Sequence, residues 1–126
     1  MPLTNAGRNV MTSLLTGASA IHFDNTNSHI GIGDSTTAFS VVQTDLQAAT
    51  NKYRKSMDGG YPITSANTIT FQSTLGPSVG NFAWNEWGVF NAASGGSMLN
   101  RVVEYNGTKL SGQTWVMQVD LTITVA

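Results

Sequence analysis

The sequence predicts a mainly β protein, either a β-sandwich or a jelly-roll-like domain, with one short N-terminal α-helix. Short segments in which apolar and polar residues alternate recur along the chain, as in strands with one buried face. Turn signals rich in Gly and Asn separate these segments, and no heptads or internal repeats are present. The chain has 126 residues, so we expect a single β-rich domain over residues 1–126.

The composition argues against several classes of protein. The chain has no cysteine, and six Lys and Arg residues against seven Asp and Glu leave a net charge of −1. This small charge offers no general attraction for nucleic acid, and no apolar run approaches the roughly 20 residues of a membrane span. We therefore expect neither nucleic acid nor membrane as a partner. Only 10% of the residues are charged, which favours a subunit of an assembly over a freely dispersed protein.

A helix and a hairpin are predicted for the N-terminal part of the chain. Over Leu3–Thr16 apolar residues recur at helical spacing, and Thr4 or Asn5 is suited to cap the first turn. Ala18–Phe23 and His29–Gly33 alternate like strands on either side of a cluster of turn-forming residues. We therefore expect these two segments to pair as a hairpin.

Three further elements are predicted in the middle of the chain. Thr44–Gln47 has the spacing of a capping box, which favours a single helical turn. Asn51–Met57 alternates but carries Lys and Arg, as expected for a half-exposed or edge strand, because charged residues prevent unwanted strand pairing. Ala66–Leu75 alternates Ile and Phe with polar residues and predicts a further strand.

The centre of the protein is predicted at Phe82–Arg101, as two strands joined by a Gly-rich turn. Side chains alternate along a strand, so Trp84 and Phe90 share one face while Trp87 lies on the other. Large aromatic residues on both faces suggest that the domain's own core covers one face, and that either a second layer or a neighbouring subunit covers the other. The predicted interface consists of the aromatic residues Trp84, Trp87 and Phe90, with the basic residues Lys52, Arg54 and Lys55 at its rim.

The longest alternation in the chain closes the sequence. From Trp115 to Val125 every second residue is apolar, and the residues between them are mostly polar. This pattern predicts a long strand with one buried face and one mostly solvated face.

Several residues are candidates for sites of chemistry. His22, His29 and Asp24 resemble a set of metal ligands, but two histidines at the rim of a hairpin are the simpler interpretation. Gly31 and Gly33 form a GxG pattern without the helix that a dinucleotide-binding turn requires.

Glu86 lies in an apolar strand, where a carboxyl can become a general acid, but a structural carboxylate paired with Arg101 across the hairpin is favoured. We therefore expect no catalytic, cofactor-binding or metal-binding residues, no cofactor and no enzyme activity.

Four stretches together resemble a known family: LTNAGRN, HIGIGDSTTAF with TDL, WNEWGVFNAASGGSMLNRVV, and SGQTWVMQVDLTITV. The chain resembles small virion structural proteins of tailed bacteriophages, which include capsid decoration (cement) proteins and tail-fibre or collar proteins. The resemblance implies a compact β domain that oligomerises and sits on the virion, and it implies no catalytic residues. Long fibres need repeats or heptads, which this chain lacks.

The function expected from the sequence is therefore capsid decoration. The protein would be made in the cytoplasm of the bacterial host, form a homotrimer, and bridge copies of the major capsid protein on the virion surface. A tail, collar or tail-fibre attachment protein is the alternative within the same particle. A module that binds a host-surface glycan or receptor is the alternative from another class.

Overall fold

The computed structural model describes residues 2–125 and consists mainly of two antiparallel β-sheets. In this part of the chain there is a single helix, α1 (Asn5–Leu15). One sheet has the strand order β2-β1-β5-β6 and the other the order β3-β4-β7. The strands are β1 (His29–Gly33), β2 (Lys52–Ser56), β3 (Ile63–Ser65), β4 (Thr68–Leu75), β5 (Glu86–Phe90), β6 (Val102–Val103) and β7 (Trp115–Thr122). The predicted fold class is confirmed, and the arrangement is consistent with a β-sandwich.

The core lies between the two sheets. In the first sheet Ile30 is opposite Val89, so both side chains point to the same face, towards the second sheet. In the second sheet Phe71 is opposite Val119, and these residues pack against Ile30 and Val89. The shared apolar cluster holds the sheets face to face, because its burial removes large side chains from water.

Strand β7 follows the predicted alternation closely. It pairs with β4 along its whole length, from Thr68 opposite Thr122 to Leu75 opposite Trp115. Val119 and Leu121 are buried, while the alternate residues Val116, Gln118, Asp120 and Thr122 are exposed. Beyond the strand the buried face ends, because Ile123 and Val125 are both exposed.

Helix α1 begins where the sequence predicts. The Thr4 side chain caps it by accepting a hydrogen bond from the Gly7 N–H (2.9 Å), and the Thr4 N–H donates to the Leu99 carbonyl (3.1 Å). Gly7 faces the same carbonyl, and a Cβ at this position would clash with it. The first turn of the helix is therefore fixed against the segment that follows β5, and Met11 packs against the core.

Two predicted elements are wrong. Ala18–Phe23 forms no strand, because β1 already pairs with β5 on one side and β2 on the other. Thr44–Gln47 forms no helical turn. The N–H groups of Gln47 and Ala48 donate to the Glu86 carboxylate instead, and these hydrogen bonds hold the segment against the first sheet.

The central hairpin is more irregular than predicted. Strand β5 is shorter than Phe82–Asn91, because before Glu86 the regular ladder gives way to irregular pairing with the segment after β6. There Trp84 exchanges backbone hydrogen bonds with Asn106 and Gly107, and Ala83 forms a bridge with Thr108. The return strand is limited to β6 and a bridge between Phe90 and Met98. Between them the Asn100 side chain accepts a hydrogen bond from the Val89 N–H (3.1 Å), which interrupts the regular ladder.

Candidate protein-binding surface

A buried ion pair joins the two ends of the motif Glu86–Arg101. Arg101 Nε donates to Glu86 Oε1 at 2.8 Å, and both side chains are removed from solvent. The carboxylate also accepts hydrogen bonds from the N–H groups of Gln47 (2.7 Å) and Ala48 (2.8 Å). A buried charge is tolerated when it is paired and hydrogen-bonded in this way. The predicted structural pairing of Glu86 with Arg101 is therefore confirmed.

Glycines make room for this layer of loops over the sheet. A Cβ at Gly33 would clash with the Glu86 carboxylate, and a Cβ at Gly88 would clash with the Asn100 carbonyl. A Cβ at Gly31 would meet the ring of Phe90. The GxG pattern of β1 therefore serves close packing of backbone and side chains.

The Gly-rich turn after β5 is held by its first residue. The Asn91 side-chain oxygen accepts a hydrogen bond from the Ser97 N–H (2.8 Å), and its amide donates to the Ile21 carbonyl (3.0 Å). Gly95 and Gly96 have φ values of 62° and 66°, a conformation that glycine adopts without strain. The motif Glu86–Arg101 thus builds a scaffold whose polar side chains bond one another and neighbouring loops.

The aromatic residues predicted to form an interface mostly belong to the chain's own core. Trp84 is 4% exposed and Phe90 is 0% exposed, while Trp87 is half-buried and packs against both apolar clusters between the sheets. Trp84 stacks edge-on against Trp115 with ring centroids 4.9 Å apart, and its Nε1 donates to the Gly80 carbonyl. The exposed aromatic surface on which the interface prediction depended is therefore lacking, because layers of the same chain cover both faces of β5.

The basic residues predicted at the rim are divided between two faces of β2. Lys52 and Arg54 point outward and both contact Asp45, with N–O distances of 3.2 and 3.1 Å. The Arg54 guanidinium also lies 3.6 Å from the centroid of the Phe90 ring and donates to two carbonyls of the Gly-rich turn. Lys55 lies opposite Ile30 and so points to the other face. Arg54 therefore connects the loop that contains Asp45 to the Gly-rich turn, and Lys52 also binds Asp45.

Hydrogen bonds to loop and strand residues change the pKa values of two aspartates, Asp45 and Asp58. Partial burial by itself raises the pKa of the Asp45 carboxyl, but hydrogen bonds from Arg54, the Leu46 N–H and Lys52 outweigh it and lower the pKa. Burial also raises the pKa of the Asp58 carboxyl, but hydrogen bonds from Thr74 and Gln72 outweigh this effect and lower the pKa. Both carboxylates are therefore structural anchors that are stabilised in the ionised form.

The other candidate residues do not form a site. His29 Nδ1 lies 2.9 Å from the Asn27 carbonyl. No group of three or more His, Asp or Glu side chains within residues 2–125 is placed to hold a metal ion. The alternative of a metal site at His22, Asp24 and His29 therefore has no geometric support. Among the same residues no helix is long and apolar enough to cross a membrane.

The largest exposed apolar side chains of the helix and the last strand lie near one another. Leu15, at the end of α1, is 88% exposed, and Ile123, just beyond β7, is 60% exposed. Together with neighbouring helix residues they line a shallow groove. We call it the α1–β7 groove; its lining residues are Met11, Thr12, Leu14, Leu15 and Ile123.

Sequence reasoning missed the α1–β7 groove. It assigned Leu14 to the buried stripe of the helix and placed Ile123 on the buried face of the last strand. The signal that was available is the pair Leu14-Leu15, which widens the apolar stripe beyond what one buried face requires.

Comparison with protein-family models finds no match, and comparison with curated protein sequences finds none either.

Proposed function

We propose that this protein is a structural subunit of a tailed-bacteriophage particle, and that it decorates the capsid shell and clamps neighbouring shell subunits. The resemblance of the Glu86–Arg101 segment to virion structural proteins supports this proposal. The role of that segment in the fold also supports it, since its residues build a scaffold and present no reactive group to solvent. A scaffold of this kind suits a protein whose task is to bind other proteins.

The observation that carries the proposal is the α1–β7 groove. It exposes a leucine and an isoleucine side chain to solvent, on a chain with a net charge of only −1. Exposed apolar patches bordered by polar residues mark surfaces that other proteins cover. We propose that the groove is part of the surface that is buried in the particle.

The mechanism of clamping would be mass action. A subunit that binds the assembled shell and has no affinity for dispersed shell proteins stabilises the assembled state by its binding free energy. No catalytic group is required, and the contribution grows with the number of copies bound.

Cryo-electron microscopy of the phage particle that contains this chain tests the proposal. We expect density for many copies, arranged with the symmetry of the shell. A few copies at the tail or collar would favour the alternative of an attachment protein. Absence of the chain from the purified particle would contradict a structural role in the virion altogether.

A matched pair of variants tests whether the α1–β7 groove is involved. Leu15→Asp places a charge in the groove, whereas Thr36→Asp places the same charge in an exposed loop. Burying a leucine contributes roughly 1.5–3 kcal/mol, so Leu15→Asp should weaken binding to particles that lack the protein by about tenfold or more. Thr36→Asp should bind like the unmodified chain. Equal binding by both variants would show that the groove does not contact the particle.

The glycan-binding alternative has less support from the arrangement of the aromatic residues. All three tryptophans are buried or half-buried, so none offers a fully open face to a sugar. Titration with a broad glycan panel, monitored by tryptophan fluorescence, separates a glycan-binding module from a structural subunit. A structural subunit should show no saturable change in fluorescence.

A further inference from the structure

The outer edge of β7 is a long strand edge without a neighbour. In the described chain β7 pairs with β4 alone. The Ile123 N–H donates to the Asn67 carbonyl and the Ile123 carbonyl accepts from the Asn67 side chain, so the backbone groups of odd-numbered residues point towards β4. The backbone groups of the alternate residues therefore point to the open edge; these residues are Val116, Gln118, Asp120 and Thr122.

This edge lacks the features that normally prevent strand pairing. Natural proteins protect open edges with Lys, Pro or bulges, or keep them short. Within residues 2–125, β3 and β6 have three and two residues, and β2 carries Lys52, Arg54 and Lys55. Strand β7 has eight residues, and from Trp115 to Val125 it contains one charge, Asp120, and no proline, lysine or arginine. The open edge of β7 is therefore suited to receive another strand.

We propose that the occupant is β7 of a second copy of this chain, paired antiparallel about a two-fold axis through Val119. In this register Val119 lies opposite its own copy, Val116 lies opposite the second copy's Thr122, and Gln118 lies opposite the second copy's Asp120. Each residue that points to the open edge exchanges its backbone hydrogen bonds with its partner, so the free donors and acceptors are satisfied. The two sheets join into one continuous sheet across the axis.

Charge and polarity favour this register over one shifted so that the two-fold axis passes through Asp120. A two-fold axis at Asp120 would place two carboxylates directly opposite each other, and like charges at such positions are destabilising. With the axis at Val119, Asp120 meets the amide of Gln118 instead. On the inner face Met117 lies opposite the second copy's Leu121, which extends the apolar core from one subunit into the next.

The α1–β7 groove contributes to the same contact. Strand pairing alone is marginal in water, so a stable dimer also needs apolar burial beside the strands. The groove borders the end of β7 at Ile123. The proposed register places the second copy's Trp115 opposite Ile123, which is 60% exposed in the single copy. The dimer would thus bury Ile123 at one end of each groove, and Leu15 and the other helix residues would remain for the contact with the shell.

The test is the molar mass of the purified full-length chain, measured by light scattering and sedimentation over a range of concentrations. We expect a monomer–dimer equilibrium. Gln118→Pro removes an N–H group at the open edge, where proline is tolerated, and should give a folded monomer. Its circular dichroism and its unfolding at low concentration should match those of the unmodified monomer. A trimer, a monomer at all concentrations, or a dimer unaffected by Gln118→Pro would overturn the proposal.

A charge pair at the same position tests the register. Gln118→Lys places a cation opposite the second copy's Asp120, and Gln118→Glu places an anion there. Each dimer contains this cross-strand pair twice, so the dissociation constant should fall roughly two- to thirtyfold with Lys and rise by a similar factor with Glu. Equal effects of the two variants would overturn the register. These outcomes do not depend on whether the protein belongs to a virion, which particle microscopy tests separately.

Discussion

At the scale of the residue, the Glu86–Arg101 pair shows how a charged group can be used as a core element. Its two side chains come from β5 and from the segment before β6, and the carboxylate also holds the extended Gln47–Ala48 segment. The pair therefore joins three parts of the chain that are distant in sequence. Sequence reasoning identified the pair because an isolated carboxylate in an apolar strand requires a partner.

Removing one charge of this pair should be costly. Glu86→Gln leaves the Arg101 guanidinium buried without its counter-ion, and breaking a buried pair in this way costs about 3–5 kcal/mol. Urea denaturation should show this loss in the free energy of unfolding. Glu104→Gln, which neutralises an exposed carboxylate, is the control and should change the stability by less than about 0.5 kcal/mol. A loss below about 1 kcal/mol in Glu86→Gln would mean that the pair is not buried.

Gly88 is the second residue whose identity the structure explains. A Cβ there would clash with the Asn100 carbonyl, which belongs to the backbone and has little freedom to move. Gly88→Ala should therefore cost about 1–3 kcal/mol, as expected for overpacking a filled site. Gly59→Ala is the matched control, since a Cβ at Gly59 meets open space, and thermal unfolding should show little or no loss. Equal stability of the two variants would exclude close packing at Gly88.

At the scale of the element, local patterns predicted those segments whose structure depends on their own sequence. Helix α1, the edge strand β2 and the long strands β4 and β7 all follow the periodicity of their apolar residues. Ala18–Phe23 has the alternation of a strand but finds no free neighbour, because both sides of β1 are occupied. Such failures arise from pairing between distant segments, which a local pattern does not contain.

Two loop segments are held to strands by aspartates, and this predicts a dependence of stability on pH. The folded-state pKa values of Asp45 and Asp58 lie below their ordinary value of 3.8. A lowered pKa means that the ionised form stabilises the fold; this contribution is complete above the unfolded-state pKa and is lost as the pH falls through the folded-state pKa. The melting temperature should therefore decline below about pH 4.

The variant Asp58→Asn tests the origin of this decline. It removes the ionisation while keeping a side chain of similar shape, so its melting temperature at pH 7 should be lower and its decline in acid shallower than that of the unmodified chain. Scanning calorimetry from pH 2 to pH 7 provides the comparison, with Asp45→Asn as the parallel variant. A decline in acid that is identical in all three proteins would assign the effect to other carboxylates.

At the scale of the whole molecule, the hypothesis that excess apolar surface lies on the central hairpin is not supported, because Trp84 packs in the core between the sheets and loops of the same chain cover Phe90. The apolar surface that stays exposed lies instead along α1 and β7. Sequence patterns mark apolar residues but do not show which ones a third layer of the same chain covers. The third layer here depends on Glu86, Arg54 and Asn91, whose polar contacts reach segments distant in sequence.

The exposed edge of β7 also links the stability of the fold to the concentration of the protein. If two copies pair through β7, the dimer is favoured over the unfolded monomers by mass action, so the melting temperature should rise with protein concentration above the dissociation constant. For a domain of this size each additional kcal/mol of stability corresponds to about 4 °C. Differential scanning calorimetry over a hundredfold range of concentration should therefore show a rise for the unmodified chain. Gln118→Pro should melt at one temperature throughout, and a rise of the same size in this variant would exclude β7 as the contact.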